Sequence, residues 1–150
     1  MIIALSIIQI ITLTSLSGNS LSFFNRYPMK KFANQILADS QVEKRIGLYQ
    51  LGNHRARMGV MTGLPSIYLN NPEELKLFIE TQNNVYIVMR QSDWQSEFRN
   101  LPITITATDT GWGKKSLDKE EIELLLQDGL KPHLQEYSES YVLLKAKGKS

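Results

Sequence analysis

Two short segments concentrate the side chains that could do chemistry. In the first, Gly52, Asn53, His54, Arg55, Ala56, Arg57, Met58 and Gly59 follow directly on an apolar run at residues 46–51. Two guanidinium groups and an imidazole just past a strand suit an anion. Open α/β sheets bind ligands outside the carboxyl ends of their strands, and a helix opening there adds backbone N–H donors. Arg90 closes a second apolar run, 85–89, and could share that edge. The second segment is 107–113, read as a polar and aromatic loop after another strand, in which Asp109 could accept sugar hydroxyls and Trp112 could offer a flat apolar face to a sugar ring. Each segment also has a plainer reading. Arg55 and Arg57 could pair with carboxylates while His54 caps backbone, and 107–113 could be a turn with Trp112 packed on the domain or on a membrane partner. Asp93 suits the positive end of a helix better than it suits a catalytic base.

Much familiar machinery is missing from the sequence. There is no cysteine, so disulfides, thiolate nucleophiles and cysteine-type zinc sites are excluded. His54 and His133 lie far apart and neither sits in an HExxH pattern, so no metal is expected. The glycines do not form a phosphate-cradling loop, no Gly-x-Ser-x-Gly elbow occurs, and no cofactor is implied. The 17 Lys and Arg against 15 Asp and Glu leave a net charge of +2, spread without a basic run, which gives nucleic-acid binding no support.

The elements that must position these residues follow from periodicity. Met29, Phe32, Ala33, Ile36 and Leu37 recur at helical spacing. Residues 46–51 read as a strand, and a helix carrying His54 to Met58 is stopped by Gly63 and Pro65. Residues 66–69 form a short strand. Asn71, Pro72, Glu73 and Glu74 then supply a cap, a first-turn proline and carboxylates at the positive end of a helix. The uninterrupted run 85–89 predicts a central strand covered on both faces. Ser92 is placed to cap a short helix through Phe98, and 103–107 alternates as a half-buried strand does. Asp118 and Glu121 have capping-box spacing for a helix to Gln127, closed by Gly129, and 141–144 makes a last strand. Alternating strands and helices predict an α/β fold, a three-layer α/β/α arrangement on a largely parallel or mixed sheet of about five strands.

Before this domain, at 25–150, lies a segment of different character. Residues 1–24 carry no charge, and 2–16 are dominated by Ile and Leu. The run is shorter than the ~20 residues that cross a bilayer unaided. It reads as the remnant of an apolar membrane helix, as a signal-like segment without a basic start, or as a buried part of the domain. The first two place the remainder against or across a membrane.

The order of these elements, with Ser66, Ile67, Tyr68, Leu69, then Pro72 to Ile79, Val85 to Arg90 and a closing Glu139 to Leu144, resembles the soluble C-terminal domain of bacterial membrane glycosyltransferases of the protein mannosyltransferase and aminoarabinose transferase type. That resemblance implies a membrane-anchored domain on the exoplasmic side, periplasmic in a Gram-negative cell. Its partner would be the membrane part of the enzyme or the lipid bilayer, with a polyprenyl-phosphate sugar or glycan acceptor nearby. The family catalyses transfer with acidic residues in membrane-part loops that this chain does not contain. No catalytic residue is carried over, and the chain is expected to be accessory to catalysis. Two other readings stand beside it: an independent exported binding protein for a sugar or anionic ligand, and a small soluble enzyme using Asp93 or Asp109 as general base.

Overall fold

The computed structural model describes residues 28–40, 44–82, 84–112, 118–128 and 138–146. The chain divides into two compact units, one joining Pro28–Thr110 with Ser140–Ser150, the other Met1–Tyr27 with Gly111–Glu139. The first holds α1 (Pro28–Ala38), β1 (Arg45–Tyr49), α2 (Arg55–Thr62), β2 (Ser66–Leu69), α3 (Pro72–Thr81), β3 (Val85–Arg90) and most of β4 (Ile103–Trp112) and β5 (Ser138–Ala146). The second contributes α4 (Lys119–Asp128). The uncharged segment 1–24 lies outside the described residues, as do His133 and Gly129. Among the described residues no helix is long and apolar enough to cross a membrane.

Local chemistry explains where the helices begin and end. At the start of α3, Asn71 Oδ1 accepts the Glu74 amide at 2.9 Å, and Glu74 Oε1 accepts from Asn71 Nδ2 at 3.2 Å. Asp118 and Glu121 make the same reciprocal exchange at the start of α4, at 2.9 and 3.0 Å. A 3₁₀ turn, Gly52–His54, leads into α2, which stops where Gly63 adopts φ +66° and returns its amide to the Gly59 carbonyl. Ser92 does not act as the expected cap. A single turn, Gln91–Asp93, begins without a side-chain cap and passes into a π-helical turn, Trp94–Phe98, while the Ser92 carbonyl accepts from Ser96 Oγ at 2.9 Å.

The strands form one mixed sheet in the order β2-β1-β3-β5-β4. β1 is parallel to both β2 and β3, and β5 returns antiparallel to β3. Alternate residues bury opposite faces, as the pleat requires. Tyr49, Ile87, Met89, Val142 and Leu144 pack with Leu75 and Phe78 of α3 and with Trp94 and Phe98 of the π turn. The intervening Ile46, Leu48, Val88 and Leu143 are buried on the other face, which takes Met29, Phe32, Ala33 and Ile36 of α1, with α2 lying against α1. The three-layer α/β/α architecture follows, and β3 is its central strand.

Two strands run beyond their expected bounds. β4 continues through Asp109 to Trp112, and β5 opens at Ser138. The polar run 107–113 therefore begins as strand and not as loop. Thr106 Oγ1 donates to the Leu143 carbonyl at 3.1 Å, and Thr110 Oγ1 stands 3.2 Å from Ser140 Oγ. These contacts run in opposite chain directions, as an antiparallel pair must. Pairing to β5 and β-branched threonines overcome the turn tendency of Asp and Gly.

Candidate functional site

β1 and β3 are parallel neighbours whose chains leave the sheet on opposite sides. After β1 the chain passes to α2 on the α1 face; after β3 it passes to the π turn on the α3 face. Their carboxyl ends consequently lie at a topological switch point, the place at which open α/β sheets bind ligands.

Three of the residues singled out in the sequence gather around this rim with one that was not. Arg90 ends β3 and stands opposite Tyr141 in the β5 register, so both side chains leave the same face. The His54 ring meets the Tyr141 ring edge-on, with centroids 6.1 Å apart. Arg90 Nη1 lies 3.7 Å from Asp93 Oδ2. That oxygen is buried and accepts no hydrogen bond among the described residues. Arg55 instead sends Nε–H to the Ser66 carbonyl at 3.0 Å, along β2. Asn53 and Arg57 are exposed, on the 3₁₀ turn and on α2.

Asp109 belongs to the same end of the sheet. It is buried, 8% exposed, and its Oδ1 accepts the Thr110 amide at 2.9 Å. Thr110 meets Ser140, which adjoins Tyr141, which pairs with Arg90. The rim thus spans four strand ends, about 14 Å at the usual strand spacing. The Trp112 side chain lies outside the described ones.

On the α3 side of the rim stand residues that sequence reasoning passed over. Gln50 adopts a left-handed backbone, φ 53°, and its Nε2 donates to the Tyr49 hydroxyl at 3.2 Å. That hydroxyl faces Glu97 Oε2 at 3.4 Å, while the Tyr49 ring meets Phe98 edge-on at 5.0 Å. Burial, then the negative charge of Glu97, pushes the Tyr49 hydroxyl above its ordinary value. A non-glycine residue at positive φ and a π turn both carry conformational cost and recur at functional sites.

No protein-family model, curated protein or solved structure matches the chain.

The rim is consequently judged on its chemistry. A guanidinium, an imidazole, an aromatic hydroxyl and the Thr110 and Ser140 hydroxyls can hold a hydroxylated, anionic ligand. Among the described residues no three His, Asp or Glu side chains converge as a metal ligand set.

Proposed function

We propose that this chain is the extramembrane domain of a glycosyltransferase that uses polyprenyl-phosphate-linked sugars, and that it recognises the phosphate or glycan head of donor or acceptor at the rim between β1 and β3. The domain contributes recognition and orientation; bond-breaking belongs to the membrane part. The observation that carries the binding reading is that the chain leaves two parallel neighbouring strands toward opposite helical layers, with Arg90, Tyr141 and His54 gathered at that rim. The affiliation rests on the order of elements and on the uncharged segment 1–24. On this reading the domain is membrane-anchored and faces the exoplasmic side.

Backbone amide shifts followed during titration with inorganic phosphate, and then with a short-chain polyprenyl phosphate, test the binding reading. The largest shifts are expected in 52–59 and 89–93, and Arg90→Gln should weaken binding at least about tenfold, the scale of one charge-assisted contact. Shifts concentrated elsewhere would sink it. For the affiliation, the domain should co-purify from its host's membranes with a multi-spanning protein or be continuous with one.

A further inference from the structure

The two edges of the sheet are left in different states. On edge strand β4, the Thr108 and Thr106 carbonyls accept from Lys31 and Gln35 of α1. On the other edge strand, β2, the phase of the ladder is set where the Ile46 amide meets the Pro65 carbonyl and the Gln50 amide meets the Leu69 carbonyl. The backbone groups of Ile67 and Leu69 therefore turn toward β1, and those of Ser66 and Tyr68 turn away from it. The Ser66 carbonyl already accepts from Arg55 Nε, and the Asn70 amide donates to Glu74 Oε2 at 2.8 Å. Between them, the Tyr68 amide and carbonyl have no partner among the described residues.

Beside this position, on the α3 side of the sheet, runs an open groove of about 290 Å³. Ile67 and Leu69 form its strand wall, and Glu74, Leu77, Phe78 and Thr81 form its helix wall. An edge strand with free backbone groups next to an apolar groove is the arrangement that takes up a further strand, held by main-chain bonds and selected through alternate side chains. One residue of an incoming antiparallel segment can exchange both bonds with Tyr68, and its two neighbours then point to the face of Ile67 and Leu69, into the groove. Arg55 and Glu74 hold the next backbone groups on either side, which fixes the register and keeps the contact short.

Charge decides between occupants. At 100° per residue, Glu73 and Glu80 lie next to Leu77 on the outer flank of α3, and Lys76 lies farther round. Glu73 and Glu80 are exposed and make no ion pair among the described residues. A second copy joined edge to edge through β2 would continue the sheet about a twofold axis and set α3 beside α3, acidic flank toward acidic flank. We infer that β2 and α3 form a docking groove for an extended segment of another protein, one that carries apolar side chains at alternate positions between lysines or arginines. No residue lining the groove belongs to the segments 52–59 or 89–93, and the inference does not require a ligand at the rim.

The probe is the acetylated and amidated peptide Lys-Thr-Ile-Thr-Ile-Thr-Lys, titrated into the full chain while backbone amide shifts are followed. Its central threonine is designed to stand opposite Tyr68, with both isoleucines in the groove and both lysines on the same face. The largest shifts are expected within 66–69 and 74–81. Exposed ion pairs are each worth up to about fivefold in affinity, so the lysine-ended peptide should bind at least about fivefold more tightly than its glutamate-ended counterpart. Glu73→Lys with Glu80→Lys should reverse that order. Leu77 is 60% exposed, so Leu77→Ser spares the core and should weaken binding several-fold. N-methylation of the central threonine removes the donor to the Tyr68 carbonyl and should weaken binding at least about tenfold. Undetectable binding at millimolar peptide, largest shifts elsewhere, equal affinity of the two peptides, or full affinity of the N-methylated one would each overturn the proposal. Concentration-dependent shifts of 66–69 in the free chain would do so as well, by giving the edge to a second copy.

Discussion

Tyr86, the second residue of β3, donates its hydroxyl hydrogen to Asp39, the first residue past α1, and Lys145 of β5 places its ammonium on the same carboxylate oxygen. Lys44 donates to the Ile36 carbonyl at 2.9 Å. The carbonyl end of α1, negative by its dipole, is thereby tied to two strands and to the residue just before β1.

Stability should fall in alkali. Burial, with the hydrogen bond to Asp39, pushes the Tyr86 hydroxyl above its ordinary value of 10.0, and burial does the same for Tyr49. The hydrogen bond to Asp39 holds the Lys145 ammonium above its ordinary 10.5. Each of these groups binds its proton more tightly when folded. Their contribution is complete below about pH 10 and is lost as pH rises through the folded values. Melting temperatures should drop above about pH 10, and Tyr86→Phe should make the drop shallower. A flat profile to about pH 11.5 would contradict the assignment.

Gly47→Ala should destabilise the domain by roughly 1–3 kcal/mol, the cost of overpacking. A Cβ at Gly47 would stand 2.7 Å from Leu69 Cδ1 and 2.9 Å from Phe78 Cε1. Both side chains are themselves buried in the core, so they cannot yield together. Urea unfolding should show a lower midpoint with an unchanged slope.

Asn71→Ala removes the acceptor for the Glu74 amide and should cost about 1 kcal/mol. Asn71→Asp keeps the acceptor and adds charge at the positive end of α3, so it should recover most of that loss. Thermal melts of the two variants give the comparison, and equal losses would mean that the cap contributes little.

Lys31 and Gln35, one turn apart on α1, donate to the Thr108 and Thr106 carbonyls, two residues apart on edge strand β4. The spacings match: four helical residues rise about 6 Å and two strand residues about 6.8 Å. These side chains occupy strand-edge acceptors beside Ile105, which is 44% exposed. Replacing both with alanine should change stability by less than about 2 kcal/mol while speeding aggregation, measured by light scattering below the melting temperature. Aggregation at the parental rate would show that this edge needs no guard.

The sequence by itself determined what local physics decides. The cap and proline that open α3, the reciprocal Asp118 and Glu121 pair of α4, the glycine that ends α2 and the unbroken apolar run of β3 all depend on residues a few positions apart. The α/β class follows from their alternation. Tertiary structure decided the rest. β4 extends through Asp109 because Thr110 meets Ser140, 30 residues away. Tyr141 joins His54 and Arg90 because β5 inserts between β3 and β4 and runs back, carrying its amino end to the carboxyl ends of β1 and β3. Arg55 is drawn toward Ser66, on a strand that only the fold sets beside it. Strand order, register and the partner of a long charged side chain are non-local choices, set when the sheet and its two helical layers close on one core.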